Sequence, residues 1–332
     1  MQSEFEFIEN LRSRTSKIRT PHSAFRIGIG DDCAVLPKNS KTDLVITTDL
    51  LVEDIDFRLD WTTSEFLGHK ALVVSLSDIA AMGAKPVWAM LSIGIPEKIW
   101  KTDFVEKFYD GWFRLAKKFN VELIGGDVSK TPDKIVIDSI AAGEVKKGKA
   151  VLRSGAKVDD SIYVTGNLGG AAGGLKLLEE GFRYDFPEEI WRKRLLLKQL
   201  QPLPRTFDGE FLRENNLATS MIDLSDGISS DLAHICRESK VGAKIFADKI
   251  PFDKNLRGLT KSFDEKLNYA LNGGEDFELL FTVNQKKNFQ VENELKKRGF
   301  FCIGKITANT EIIEFDAGEE TKILPPKGFR HF

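Results

Sequence analysis

The sequence predicts an α/β protein with mixed sheets, divided into two α/β domains. Its 332 residues exceed what one hydrophobic core usually supports, because chains beyond about 250 to 300 residues tend to divide. Short runs rich in β-branched residues alternate with longer stretches of helical periodicity. A basic, glycine-containing segment at 146–157 interrupts this alternation. We therefore place the boundary near Lys149, between domains at 1–149 and 150–332.

The first domain has four predicted strands and two predicted helices. The strands lie at 44–48, 87–95, 121–124 and 135–143, and the helices lie at 64–82 and 101–119. The helix at 64–82 has clear limits, because Thr62 and Glu65 have capping-box spacing and Gly83 and Pro86 follow its last periodic residue. The N-terminal strands can lie at an exposed sheet edge, which pairing with a second chain would cover.

The second domain repeats the alternation of strands and helices. Its strands are predicted at 161–165, 220–222 and 244–247 and around Leu279 and Phe301, and its helices at 171–180 and 228–238. The strand that follows the GGED segment at 273–276 has an alternating pattern of apolar and polar residues. The glycine-rich turn at 166–174 lacks the GxGxxG spacing of a dinucleotide site, so tight backbone packing is the better interpretation.

The composition favours a cytoplasmic protein with small-molecule partners. Lys and Arg number 48 against 50 Asp and Glu, so the net charge of -2 gives no electrostatic footprint for nucleic acid or an anionic membrane. The three cysteines are far apart and form no CxxC pair, which argues against disulfides and zinc. The charged N-terminus and the lack of a long apolar run predict neither a signal peptide nor a membrane span.

Two further features suggest a known phosphate or zinc site but lack the residue spacing that such a site requires. The GGDVSKT segment at 125–131 looks like a phosphate-binding loop, but a Walker motif needs glycine where Ser129 stands. None of the four histidines has HExxH spacing, so a zinc hydrolase is not supported.

Asp78 is the carboxylate least able to lie on the surface by chance. It lies within the predicted helix at 64–82, which is apolar almost all round. The apolar side chains are Leu67, Ala71, Val74 and Ala81 on its own face, and Leu72, Leu76 and Ile79 on the opposite face. A carboxylate in such a helix must be paired, protonated or bound to a cation. The alternative is a satisfied aspartate that caps a neighbouring backbone.

Five further acidic clusters lie beside Gly, Ser or Thr at predicted turns and strand ends. They occur at 28–36, 45–57, 121–127, 221–232 and 271–281. Each one alone is consistent with a turn or a helix N-cap. Together they fit Mg²⁺ ions that hold a polyphosphate, because converging carboxylates without cations would repel one another. The sequence therefore predicts a magnesium-dependent enzyme that uses ATP.

The motifs, taken in order, resemble those of the thiamine-monophosphate kinases. The resemblance extends almost end to end and is carried by GIGDDCAVL, TTD, LSDIAAMGAKP, LIGGD, LRSGAK, IDLSDGISSDL, GGEDFEL and the terminal KGFRHF. That family shares a superfamily with aminoimidazole ribonucleotide synthetase, selenophosphate synthetase and a hydrogenase maturation protein that dehydrates a carbamoyl group. The resemblance implies two α/β domains and a homodimer in which the first domains pair their sheets into a barrel.

The resemblance also implies roles for individual residues. Metal ligands would be Asp32, Thr47, Thr48, Asp49, Asp78, Asp127 and Asp223, with Asp226 ordering a further ion. The nucleotide would contact Gly126, Asp127, Arg153 and Ser225. Thiamine phosphate would contact Asp56, where relatives often have histidine, together with Glu275 and Phe329.

The implied reaction is in-line transfer of the γ-phosphoryl group of ATP to thiamine monophosphate, assisted by several Mg²⁺ ions. No general base is expected, because the acceptor is an ionised phosphate. One alternative is another ATP-using branch that forms an acyl phosphate or a selenophosphate. No reactive cysteine supports it: Cys33 has no cationic neighbour in sequence, and the chain ends Arg330, His331, Phe332. The second alternative is a nucleotide sensor without turnover.

Overall fold

The structure, a computed structural model, describes residues 4–18, 25–185, 189–318 and 320–329. It contains two β-sheets, of five and seven strands, and helices pack against both. The predicted α/β class with mixed sheets is confirmed. The predicted boundary near Lys149 falls between the last strand of the first sheet and the first strand of the second, and it stays a prediction. The motif residues Arg330, His331 and Phe332 lie outside the described residues.

The first sheet lies between residues 34 and 146. Its part of the chain contains α1 (Glu4–Ile18), β1 (Ala34–Pro37), β2 (Thr42–Val52), α2 (Ser64–Ala81), β3 (Lys85–Pro96), α3 (Glu97–Trp100), α4 (Phe104–Phe119), β4 (Glu122–Thr131) and β5 (Val136–Lys146). The strand order is β1-β2-β5-β3-β4, and only β3 and β4 are parallel neighbours. One face of this sheet is covered by α2, and α4 packs on α2.

The second sheet begins at residue 161. Its part of the chain contains β6 (Ser161–Thr165), α5 (Gly170–Glu179), α6 (Ile190–Leu200), α7 (Thr206–Glu214), β7 (Ala218–Asp223), α8 (Ile228–Ser239), β8 (Gly242–Phe246), α9 (Phe263–Asn272), β9 (Leu279–Val283), α10 (Gln285–Lys297), β10 (Phe300–Thr307), β11 (Ile313–Asp316) and β12 (Thr321–Ile323). The strand order is β12-β11-β8-β10-β6-β9-β7, with β8 and β11 parallel.

Helix α2 joins the two halves of the molecule. It packs against the first sheet, against α4, and against α7 and β7 of the second half. Glycines make these approaches possible. A Cβ at Gly68 would lie 1.8 Å from the carbonyl oxygen of Phe108, and a Cβ at Gly209 of α7 would lie 2.1 Å from that of Ala80. A larger residue at either position would push the helices apart.

The limits of α2 agree with the prediction except at its cap. The N-cap is Thr63, whose hydroxyl accepts from the amide of Phe66, so the capping box predicted from Thr62 is wrong by one residue. Gly83 follows the helix with φ +63, the left-handed backbone that glycine adopts readily. The helix is also less apolar than predicted, because His69 and Lys70 are buried within it.

Two strands differ from the sequence prediction. Strand β9 is buried at all five positions instead of alternating, because both sheet faces are covered there: Leu280 packs in one hydrophobic cluster, and Leu279, Phe281 and Val283 pack in another. Strand β4 extends beyond residue 124 to Thr131, so Gly126 and Asp127 lie within an edge strand and not in a turn after it. A Cβ at Gly126 would lie 1.9 Å from the carbonyl oxygen of Leu91, which makes glycine necessary there. Among the described residues, no helix is both long and apolar enough to cross a membrane.

Candidate active site

Three carboxylates converge where the two halves of the molecule meet. Asp32 lies in the turn before β1, Asp78 lies on α2, and Asp223 is the last residue of β7. Each can offer an oxygen within 4.8 Å of the oxygens of the other two. Asp32 and Asp223 are buried, whereas Asp78 is half-buried. We call these three residues the acidic cluster.

Hydroxyl groups fix the orientation of the acidic cluster and of Asp49 beside it. Thr47 donates to Asp78 at 2.5 Å, so the recorded partner of Asp78 is a side chain and the backbone-capping alternative is not supported. The other two hydroxyls come from α2 itself. Ser75 donates to Asp49 at 2.7 Å, and Ser77 donates to Asp223 at 2.6 Å. These serines were not among the predicted site residues, although both stand within three positions of Asp78.

The carboxylates of this region are difficult to ionise together. Burial, followed by the charges of Asp49, Asp223 and Asp32, raises the pKa of Asp78 well above its usual value. Burial is also the main cause that raises the pKa of Asp223 to about 7 and that of Asp49 to about 6. A bound cation would favour the ionised forms of all of them.

The donor set fits a hard divalent cation. One oxygen of Asp32, Oδ2, is buried and has no hydrogen-bond partner within the described part of the chain. The surrounding groups are carboxylates and hydroxyls, the oxygen ligands that Mg²⁺ and Ca²⁺ take in proteins. Leaving a buried carboxylate oxygen unpaired costs free energy, so this oxygen is a position where a metal ion would bind.

Arg153 binds the other oxygen of Asp32. Its Nε and Nη2 atoms both donate to Oδ1, at 3.0 and 2.6 Å. The backbone amide of Arg153 donates to Asp31, at 3.2 Å from Oδ2. Asp31 thus anchors the backbone of Arg153, a role not predicted from the sequence although the paired aspartates of GDD are a visible signal.

Two cavities border this region. The smaller cavity, of about 500 Å³, is lined by Asp49, Asp78 and Asp223, and also by aromatic side chains. The larger cavity, of about 980 Å³, is lined by Asp31, Asp32, Thr47 and Thr48, and by residues of α1 and β1. The acidic cluster therefore borders both cavities, so two ligands could approach it from different cavities.

The smaller cavity brings together the predicted acceptor residues. These are Asp56, Glu275 and Phe329. The lining also contains Ser225, predicted to contact the nucleotide, and Asp226, predicted to order a metal ion, as well as Trp61 and Phe277. The carboxylate of Asp56 also accepts from the amide of Val52 at 2.7 Å, which fixes the loop after β2. The loop at 225–227 is held in a similar way, because the amides of Asp226 and Gly227 donate to the buried Asp231.

Three predicted site residues do not join the acidic cluster within one chain. Strand alternation places the Thr48 side chain on the opposite sheet face from Thr47, and it donates to Asp138 at 2.7 Å. Gly126 and Asp127 are exposed on β4. In the sheet register, Gly126 is separated from Asp49 by three strand spacings, or about 14 Å.

Cys33 does not have the surroundings of a nucleophile. It is buried, and burial together with the nearby carboxylates raises the pKa of its thiol well above the usual value. A thiol in such a place stays protonated and weakly reactive. The structure therefore gives no support to a reactive cysteine at this position.

Comparison with known proteins gives the broad protein class to which the chain belongs. Residues 30–145 match the family described as AIR synthase related protein, N-terminal domain, and residues 157–316 match its C-terminal domain. The hydrogenase maturation protein HypE in complex with ATP shares this fold, with a TM-score of 0.67 at 16% identity over 85% of this chain and 84% of that one.

Curated relatives and solved structures identify the family within this class. The chain is 41% identical to the thiamine-monophosphate kinase of Buchnera aphidicola subsp. Acyrthosiphon pisum over 99% of both chains, and 39% identical to that of Escherichia coli K12 over 95% of both. A structure described as AaThiL complexed with AMPPCP and TMP has a TM-score of 0.85 at 30% identity, covering 99% of this chain and 97% of that one. The chain belongs to the thiamine-monophosphate kinase family.

Proposed function

We propose that this protein transfers the γ-phosphoryl group of ATP directly to the phosphate of thiamine monophosphate, giving thiamine diphosphate. The observation that carries the proposal is an acidic cluster bordered by two cavities, because direct transfer needs a donor and an acceptor that meet at one charged centre. The solved relative with AMPPCP and TMP is consistent with two such ligands.

The residues of the acidic cluster, with Asp49, would hold Mg²⁺. When bound there, Mg²⁺ would neutralise the charge of the phosphate oxygens. Asp226 lines the same cavity and would help to hold a further ion. Arg153, held by Asp31 and Asp32, would keep a fixed positive charge beside the donor phosphates. Because the acceptor is an ionised phosphate, no side chain has to remove a proton.

The smaller cavity has the chemistry of a site for the thiamine part. Carboxylates of Asp56 and Glu275 stand among the aromatic side chains of Trp61, Phe277 and Phe329. Acidic and aromatic groups together favour a ligand with a cationic aromatic ring, such as a thiazolium. Ser225 lies where this cavity meets the carboxylates, a position suited to a phosphate contact.

We further propose that the active form is a homodimer. Strand β1 pairs only with Asp43–Ile46, so among the described residues Thr47–Val52 of β2 has no neighbouring strand on that side. Strand β4, the opposite edge, is exposed along most of its length. Pairing of β4 from a second subunit beside β2 would bring a copy of Gly126 and Asp127 near Thr48 and Asp49.

The direct test is incubation of the purified protein with ATP, Mg²⁺ and thiamine monophosphate, followed by chromatography of the products. We expect thiamine diphosphate and ADP in equal amounts. A nucleotide sensor would bind ATP and form no thiamine diphosphate above the level of a control without enzyme. A member of another branch would hydrolyse ATP without phosphorylating this acceptor.

A further inference from the structure

A partly buried ion pair lies in the wall of the smaller cavity, outside the acidic cluster. Lys70 of α2 is buried, and its Nζ lies 2.6 Å from Oε1 of Glu275. Gln199, near the end of α6, donates from Nε2 to the other oxygen, Oε2. Each oxygen of Glu275 thus has its own anchor, and the two anchors together fix the plane of the carboxylate.

The backbone of Glu275 is fixed as well. Its φ of +65 is in the left-handed region, which is uncommon for a residue with a side chain. Its amide donates to the carbonyl oxygen of Ser225 at 2.8 Å, and a Cβ at Gly274 would lie 2.3 Å from that same oxygen. The loop that carries Glu275 is therefore packed closely against the loop that carries Ser225.

Unused hydrogen-bond acceptors remain at this place. An ionised carboxylate can accept about four hydrogen bonds, so Glu275 keeps acceptor capacity beyond its two anchors. The amide oxygen of Gln199, Oε1, is buried and has no hydrogen-bond partner among the residues that the structure describes. A buried acceptor without a donor costs free energy, and a ligand with N–H groups at this wall would remove that cost.

Close packing of helices holds Gln199 in place. A Cβ at Gly174 of α5 would lie 2.2 Å from the carbonyl oxygen of Leu195 and 2.8 Å from Cβ of Gln199. Helices α5 and α6 therefore approach at contact distance beside Gln199. Lys70, Gln199 and Glu275 belong to α2, α6 and the loop after α9, and their contacts with one another make a rigid site.

We propose that Lys70 and Gln199 are positioning residues that orient Glu275, so that Glu275 and Gln199 Oε1 together accept hydrogen bonds from an amino group on an aromatic ring of the acceptor. The idea rests on the proposed function and deepens it, because thiamine monophosphate carries one such group on its pyrimidine ring. Lys70 acts through Glu275 and does not contact the reacting phosphates.

Binding measurements on two ligands test the idea. Calorimetry with Mg²⁺ and no nucleotide would compare thiamine monophosphate with oxythiamine monophosphate, in which an oxo group replaces the amino group. We expect the wild type to prefer the amino compound by about tenfold or more, because a site built to accept from N–H rejects an analogue that lacks it. Lys70→Met and Gln199→Leu should each bring this preference close to one.

A matched control is Lys296→Met, which removes an exposed lysine from α10 and should keep the wild-type preference. In Lys70→Met, KM for thiamine monophosphate should rise about tenfold, whereas kcat and KM for ATP should change by less than about twofold.

The double variant Lys70→Met with Glu275→Gln should bind thiamine monophosphate no more weakly than Glu275→Gln alone, because both changes act on one interaction.

Several outcomes would overturn the idea. One is an unchanged preference in both Lys70→Met and Gln199→Leu when each variant still unfolds cooperatively. Another is an additive loss in the double variant. The idea would also be contradicted if the wild type bound neither thiamine monophosphate nor oxythiamine monophosphate. Selective binding without formation of thiamine diphosphate would support the amino-group site and contradict only the kinase reaction.

Discussion

The residues of the acidic cluster are held in place by neighbouring side chains, as the proposed cation site requires. Their positions are fixed by Thr47, Ser77 and Arg153, yet an oxygen of Asp32 is left without a partner among the described residues. In the absence of a cation, burial and mutual repulsion favour protonation of these carboxylates. Keeping these carboxylates ionised without a cation is therefore costly for stability.

Asp78→Asn should abolish most turnover and leave the fold intact. The amide removes the charge but almost no volume, and it ends the repulsion from the neighbouring carboxylates. We expect kcat to fall by about a hundredfold or more, with an unfolding midpoint no lower than that of the wild type without Mg²⁺. Assays of thiamine diphosphate and thermal unfolding would measure both. Asp264→Asn, at an exposed position on α9, is the control. Full activity of Asp78→Asn at ordinary Mg²⁺ would contradict its assignment as a ligand.

The effect of Mg²⁺ on stability should increase with pH. The pKa of Asp223 rises from 3.8 to about 7 in the folded protein, so the folded state retains a proton that the unfolded state loses. Without Mg²⁺, this group therefore lowers the free energy of unfolding as pH rises from about 4 to about 7.

Mg²⁺ competes with that proton, so the gain in unfolding midpoint on adding Mg²⁺ should be larger at pH 8 than at pH 5. Thermal unfolding in chelator and in Mg²⁺ across this range would measure the gain. In Asp223→Asn, the gain in unfolding midpoint on adding Mg²⁺ should depend less on pH. An equal gain at all pH values would show that Mg²⁺ binds elsewhere.

Sequence reasoning could identify the candidate metal ligands more easily than the residues that hold them in place. Asp78 could be predicted because a carboxylate on a mostly apolar helix needs a partner. Asp31 and Lys70 could not, because their roles depend on contacts with Arg153 and Glu275, which are distant in sequence. The side chains of Thr47 and Thr48 lie on different faces because successive residues of a strand alternate, so the period of two is enough to separate their roles.

At the scale of elements, α2 is the helix on which both the fold and the site depend. Its residue pattern was clear enough to predict its limits to within one or two residues, because it is apolar, long and bounded by a cap and a glycine. The helices that were not predicted are α1, α3, α6, α7, α9 and α10. Of these, α6, α7, α9 and α10 each bury only four residues or fewer, so their apolar periodicity is weak. The short strands β1, β11 and β12 give too few residues for a pattern.

Gly111→Ala should destabilise the protein although alanine favours helices. Gly111 lies within α4, and a Cβ there would be 1.9 Å from the carbonyl oxygen of Glu65 in α2. Helix propensity alone would stabilise the variant by about 1 kcal/mol, whereas the clash should destabilise it by about 2 kcal/mol or more. Urea unfolding would show whether the free energy of unfolding falls or rises in the variant. Glu106→Ala, at an exposed position on α4, should change stability by less than about 0.5 kcal/mol. A stabilised Gly111→Ala variant would show that α2 and α4 can separate.

At the scale of the whole molecule, one chain does not bring all of the predicted ligands together. Asp127, a predicted metal ligand, lies on an exposed edge strand distant from Asp49. The chain shows its family by 41% identity over 99% of its length, yet the arrangement of subunits does not follow from one chain. A long, exposed edge with apolar residues is a surface that proteins usually cover.

Val128→Lys should separate the proposed dimer. Val128 is 50% exposed on β4, and a lysine at a strand edge opposes pairing with another strand. We expect light scattering to give a mass near 74.6 kDa, twice 37.3 kDa, for the wild type and a lower mass for the variant. Val158→Lys is the matched control, because Val158 is 48% exposed in a turn outside both sheets. A monomeric wild type with full activity would contradict the dimer.

The course of α2 from Lys70 to Asp78 has a consequence for substrate choice. The two residues are eight positions apart, so the helical rise separates them by about 12 Å along the axis. One contacts the carboxylate that would receive the base of the acceptor, and the other belongs to the centre where its phosphate would react. A helix barely stretches, so the two contacts proposed for Lys70 and Asp78 would be held at a fixed separation, and the proposed acceptor would have to match it.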